Sequence, residues 1–97
     1  MPANPETEHR RLAILRHLER SSDYTSNASI LIDVVRGVGI ATSEDQMRAA
    51  LAWLGEAELV EMTDHGHVVI ATATSRGADV AMGRVVHPGV KRPSARR

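Results

Sequence analysis

Cysteine and phenylalanine are both absent from this 97-residue chain, and Trp53 and Tyr24 are its only aromatic residues. Without cysteine there is neither a disulfide framework nor a thiolate metal site. With so few rings the core must be aliphatic, and single-stranded nucleic acid finds few surfaces on which to stack. No apolar run approaches the roughly 18 residues that a membrane span requires. The opening Met-Pro-Ala-Asn-Pro-Glu-Thr-Glu lacks a basic segment followed by an apolar one, so no secretory signal is expected and a cytoplasmic location is the default.

Net charge is also absent, but its cancellation hides an asymmetry. Residues 1–83 hold seven basic residues against all twelve acids, a net of −5, and residues 84–97 hold five basic residues and no acid, a net of +5. An acidic body with a basic tail suggests a tail meant for an anionic partner, or one that aids solubility or folds back on its own body. The length argues for one domain. It predicts a disordered lead-in over residues 1–6, a folded body over 7–83 and an extended basic tail over 84–97, where Pro88, Gly89 and Pro93 oppose regular structure.

Residues 43–60 organise the chain. Ser43 is a helix cap, Gln46 three residues on completes a capping box, and Glu44 and Asp45 lie in the first turn, which the helix dipole favours. Met47, Ala50, Leu51 and Leu54 recur at three- and four-residue steps and form one apolar stripe. Leu59 to Thr63 then reads as a strand, Asp64-His65-Gly66-His67 as a hairpin tip and residues 68–73 as a second strand. A first helix is predicted over residues 7–20 with Thr7 as cap and Leu12, Ile14, Leu15 and Leu18 inward. A second helix runs from Ser26 or Asn27 to about Arg36, with Ile30, Leu31, Val34 and Val35 inward. Gly37-Val38-Gly39-Ile40 turns the chain, with Val38 and Ile40 plugging the core, and a short last helix follows Thr74 or Ser75 and stops at Gly83. Gly77 should weaken that helix by about 1 kcal/mol relative to Ala.

The order helix, helix, helix, strand, turn, strand, helix, with the phrase Leu51-Ala-Trp-Leu-Gly-Glu-Ala-Glu-Leu-Val60, resembles the winged-helix regulators of the ArsR, MarR and PadR type. Taken with Thr74-Ser-Arg-Gly-Ala-Asp-Val-Ala-Met-Gly83 and Pro88-Gly-Val-Lys-Arg-Pro-Ser94, the chain is similar over almost its whole length to a family of small proteins encoded in Mu-like prophages, sometimes described as ArsR-like. The resemblance implies an α+β, mostly helical winged helix-turn-helix: three helices, a two-stranded wing, a short C-terminal helix and an extended basic tail. It also implies a phage setting, hence a bacterial host cell, and brings no mechanism.

For such a fold the expected partner is double-stranded DNA, with the helix at residues 43–58 offered to the major groove. Its predicted outward face, however, is Asp45, Ala49, Ala52 and Glu56, small or acidic where a groove reader usually carries Arg, Lys, Asn or Gln. Gln46 and Arg48 are the plausible base-reading side chains, and each has a local alternative: Gln46 in the capping box, Arg48 in a surface pair with Glu44. His65 and His67 can meet phosphate when protonated, or hold a metal as a His-x-His clip, although only Asp64 and the distant His9, His17 and His87 remain as further ligands. The plain alternative is an exposed polar hairpin. Lys91, Arg92, Arg96 and Arg97 are the strongest nucleic-acid feature, resembling basic arms that follow phosphates or enter a minor groove. Trp53 either packs over the wing or is an exposed anchor for a partner.

These readings converge on a winged-helix DNA-binding protein, a phage-encoded transcriptional regulator. The alternative is a winged-helix protein-interaction or dimerisation module, for instance a homodimer through the first helix. No nucleophile elbow, phosphate loop, paired carboxylate site or metal motif points to an enzyme, and no cofactor, metal or small-molecule ligand is expected.

Overall fold

The computed structural model describes residues 4–94. Helix α1 (Pro5–Arg20) starts where the Asn4 side chain accepts the Thr7 N–H at 2.7 Å, with Pro5 in the first turn, where its missing N–H costs nothing. The cap is therefore Asn4 rather than Thr7. Residues 4–6 are the cap and first turn of α1 rather than a lead-in, and residues 1–3 lie outside the described residues. A 3-10 turn (Ser22–Tyr24) leads to β1 (Thr25–Asn27), α2 (Ala28–Gly37), α3 (Glu44–Glu56), β2 (Val60–Asp64), β3 (Val69–Ala73) and α4 (Ser75–Met82).

The expected two-stranded hairpin is one part of a three-stranded antiparallel sheet, in the order β1-β3-β2. The stretch read as a polar break contains β1, which pairs Thr25 with Thr72 and Asn27 with Ile70. Its residues are polar because they have second tasks. The Thr25 hydroxyl meets that of Thr72 at 2.8 Å, and Asn27 caps α2 by accepting the Ile30 N–H at 2.9 Å. Three half-buried polar residues on an edge carry no alternation to betray a strand. The result is a small, mostly helical α+β fold with four helices. Among the described residues no helix is long and apolar enough to cross a membrane.

Local chemistry ends each helix. Gly39 takes the left-handed conformation (φ 92°), so that its N–H reaches the Arg36 carbonyl at 3.0 Å and the Ile40 N–H reaches that of Val35 at 3.2 Å. This pair of hydrogen bonds turns the chain sharply and drives Ile40 into the core. The same pair of bonds ends α3 with Glu58 in the left-handed position, Glu58 N–H to Gly55 carbonyl and Leu59 N–H to Leu54 carbonyl, and buries Leu59. Helix α2 differs in phase from the expected one. Leu31, Ile32 and Val35 are buried, whereas Ile30 is 47% exposed, Val34 is half-buried and Val38, at the helix end, is 58% exposed. A helix starting at Asn27 aligns Ala28, Ile32 and Val35 on one side, and that row faces the core.

The core is aliphatic, as expected. Ile14, Leu15 and Leu18 of α1, Leu31 and Val35 of α2, and Met47 and Leu54 of α3 are sealed from solvent, with Leu51 nearly so. Gly77 finds its reason here. A Cβ at this position of α4 would run into the Leu59 carbonyl and stand 3.4 Å from Leu15 Cδ2. Thr74 locks the same junction, donating its N–H to the Leu59 carbonyl at 3.0 Å and its hydroxyl to the Glu58 carbonyl at 2.9 Å.

Two substitutions check this packing in thermal or urea unfolding. Leu54→Ala should cost about 2–5 kcal/mol through the cavity it leaves. Gly77→Ala should also destabilise, by about 1–3 kcal/mol, although helix propensity alone favours it. A stabilised Gly77→Ala protein would mean that α4 does not sit this close to Leu59.

Candidate nucleic-acid interface

Helix α3 is built as its sequence directs. The Ser43 hydroxyl accepts the Gln46 N–H at 3.1 Å, and the Gln46 side-chain oxygen accepts the Ser43 N–H at 2.9 Å. Met47, Ala50, Leu51 and Leu54 are buried, and Asp45, Ala49, Ala52 and Glu56 are exposed. At about 100° per residue, Gln46 and Arg48 stand roughly 160° apart around the axis. The two candidate readers therefore occupy opposite flanks of α3.

The Arg48 flank borders an open groove of about 440 Å³ between the start of α2, α3 and the hairpin. Its floor is apolar, with Ile32, Met47, Leu51, Met62 and Val69, and its rim carries Glu44, Arg48, Asp64 and His67. The expected surface pair between Arg48 and Glu44 is not formed: the ion pairs among the described residues are Arg10 with Glu6 at 3.7 Å and Arg84 with Asp79 at 3.5 Å. The hairpin tip turns at Gly66 (φ 86°), whose N–H is held by Asp64 Oδ1 at 2.8 Å. His65 and His67 are both exposed and lie in this turn rather than on one strand, and of the two only His67 lines the groove.

The tail departs most from expectation. Residues 84–94 do not run free. The chain from Arg84 to Pro93 folds back as a strap along α4, α1 and α3. Val90 is 4% exposed, the Lys91 N–H reaches the Glu8 carbonyl at 3.3 Å, and Pro93 lies beside Gly83. Trp53 is covered by this strap and not by the wing. Arg11 Cζ lies 3.8 Å from the indole centroid, Arg11 Nη1 donates to the Gly89 carbonyl at 2.9 Å, and the His87 ring meets the indole edge-on with centroids 5.2 Å apart. Gly89 is required at the contact, since any Cβ would enter the Trp53 ring. Lys91 and Arg92 remain exposed on the strap, and Arg96 and Arg97 lie outside the described residues.

Two side chains at the strap's contact with the body have lowered pKa values. Burial draws the Arg11 pKa below its usual value against the opposing pull of Glu8, with Arg10 adding to the lowering. Burial, then the positive charges of Arg76 and Arg11, lower that of His87. The neutral ring uses Nδ1 to accept the Gly89 N–H at 3.2 Å. The contact of Arg11 with Gly89 was not visible in the sequence, because the two residues are 78 positions apart.

No family model matches the chain. A protein of Escherichia phage Mu, described as uncharacterized protein gp26, is 43% identical over 90 residues, which cover 93% of this chain and 93% of the phage protein. The chain belongs to the family of that phage protein.

The seat of the strap carries a pH signature. Because folding lowers the His87 pKa, its neutral contacts contribute fully above the ordinary histidine value of about 6.5 and are lost as pH falls through the folded value. The Trp53 indole and Val90 amide signals should therefore titrate together with the His87 ring, with a midpoint below that of a free histidine. A midpoint at or above the ordinary value would refute the neutral, seated ring.

Proposed function

We propose that this member of the phage Mu gp26 family is a DNA-binding winged-helix protein acting as a phage transcriptional regulator. The observation that carries this reading is the assembly of α2, its glycine turn, α3 and the β2–β3 hairpin around a sheet ordered β1-β3-β2. In winged-helix terms α3 is the helix offered to the major groove and the hairpin is the wing. Arg48 borders the groove beside α3, and the strap adds the exposed Lys91 and Arg92 elsewhere on the surface. Phosphate contact would rest on these side chains. The outward face of α3, with Asp45, Ala49, Ala52 and Glu56, offers bases little to read. Binding would accordingly be steered by backbone charge, with modest sequence preference and a steep dependence on salt.

The alternative, a protein-interaction module of the same shape, is favoured by one observation: the two carboxylates on the exposed face of α3. An amide-resolved NMR titration with a random duplex, at low and physiological salt, separates the two readings. DNA binding should shift Arg48, Gly66 and His67 together with Lys91 and Arg92. Replacing Lys91 and Arg92 by alanine should lower the slope of log affinity against log salt by about 2. A titration without shifts would discard the DNA reading in favour of the interaction module.

A further inference from the structure

The hydrogen-bond phase of the sheet is fixed at both ends of β2. Thr74 donates its N–H to the Leu59 carbonyl at 3.0 Å, and His65 donates its N–H to the Val68 carbonyl at 2.8 Å. Antiparallel pairing alternates, so Leu59, Glu61, Thr63 and His65 turn their backbone groups toward β3, and Val60, Met62 and Asp64 turn theirs away. Strand β2 is an edge of the sheet. Val60, only 2% exposed, is covered by the body, whereas residues 61–65 are all exposed. The open stretch has no proline, no lysine and no bulge, and its register against β3 runs without interruption. Edges of this kind are normally protected by such devices, by shortness or by charged side chains, and here Glu61 and Asp64 are the charges the edge carries.

We propose that this open edge pairs antiparallel with the same edge of a second copy of the chain, about a two-fold axis at Thr63. That register uses the exposed residues and nothing else. It sets the outward backbone groups of Met62 on one copy against those of Asp64 on the other, and the reverse. Thr63 meets Thr63 in the close, non-hydrogen-bonded position, where the hydroxyls reach each other. Glu61 faces His65 of the second copy, a carboxylate against an imidazole N–H, so no like charges oppose one another. A register centred on Met62 would instead press Asp64 against the covered Val60. On the other face of the sheet Met62, 42% exposed, adds an apolar side chain next to the groove floor of Leu51 and Val69. The product is one continuous sheet through both copies. A contact this short lies at the low end of interface sizes, so the dimer is a weak, exchanging one. The pairing does not rest on the DNA reading.

Sedimentation equilibrium of the full chain, from low micromolar to millimolar concentration, tests it. The chain should dimerise reversibly. Met62→Pro removes a donor that β3 does not use, so it should leave circular dichroism and thermal midpoint near those of the parent and abolish the dimer. Glu61→Lys should weaken the dimer several-fold, and Glu61→Lys with His65→Glu should restore it, a pair of readouts that survives even if the proline variant fails to fold. A monomer at every concentration overturns the proposal, whether or not the edge takes a foreign strand. A dimer that neither Met62→Pro nor Glu61→Lys weakens overturns it equally.

Discussion

Two consecutive arginines on α1 tie the distant parts of this chain together. Arg10 is 4% exposed, yet its guanidinium donates to the Thr42 hydroxyl and the Ala41 carbonyl, both at 3.0 Å. Arg11, one residue on and about 100° round the helix, lies over Trp53 and donates to the Gly89 carbonyl. One side chain holds the turn that aims α3, and the other holds the strap that covers its C-terminal half. A lysine in either place would bring a point charge where a planar fork is needed. Arg10 Nε and Nη2 and Arg11 Nη1 find partners, whereas the buried Arg11 Nε finds none among the described residues.

This arrangement determines where positive charge is available. The body is acidic by composition, and two of its few cations are consumed inside it. Arg36 is partly committed as well, donating from Nε to the Thr42 carbonyl at 3.0 Å. Among the candidate contact cations, Arg48 on α3 and, on the strap, Lys91 and Arg92 remain exposed. The outward face of α3, with Asp45, Ala49, Ala52 and Glu56, carries no cation, so a ligand lying on it would meet two carboxylates there.

Most local determinants were legible in the sequence, although the cap of α1 was read at Thr7 and is Asn4. The capping box of Ser43 and Gln46, the buried stripe of α3, the Thr74 cap and the left-handed Gly83 all follow from spacing within a few residues. The apolar residues of α2 were recognised, but not their phase, because a run as rich as Ile30 to Val35 offers two adjacent faces of similar character. Strand β1 was missed because its three polar residues are justified by partners in β3 and α2. That the tail folds back was one of the alternatives, but its seat was not legible: Pro88, Gly89 and Pro93 do prevent regular structure, and irregular chain still packs when Val90 and a glycine fit a site prepared by Arg11 and Trp53. Gly77 was read as a weakness of α4, whereas the Leu59 carbonyl makes it a requirement. Of the candidate interface, the residue types were legible, but the groove that Arg48 borders and the seat of the strap needed the third dimension.

The scarcity of aromatic residues also shapes how this chain can meet another protein. Protein interfaces usually concentrate their strength in buried tryptophan, tyrosine or arginine anchors. Here the single tryptophan lies under the strap, Arg10 and Arg11 are spent on internal contacts, and Tyr24 sits in a tight turn with left-handed backbone. Association must then draw on what is exposed and unsatisfied. On the sheet that is the backbone of β2 around Met62 and Asp64, whose hydrogen bonds to water are exchanged for hydrogen bonds to a strand at little net gain each. Contacts of that kind are specific in register and weak in total. Pairing through this edge would be weak and reversible, and the same scarcity of rings that leaves the core aliphatic leaves such contacts to the backbone.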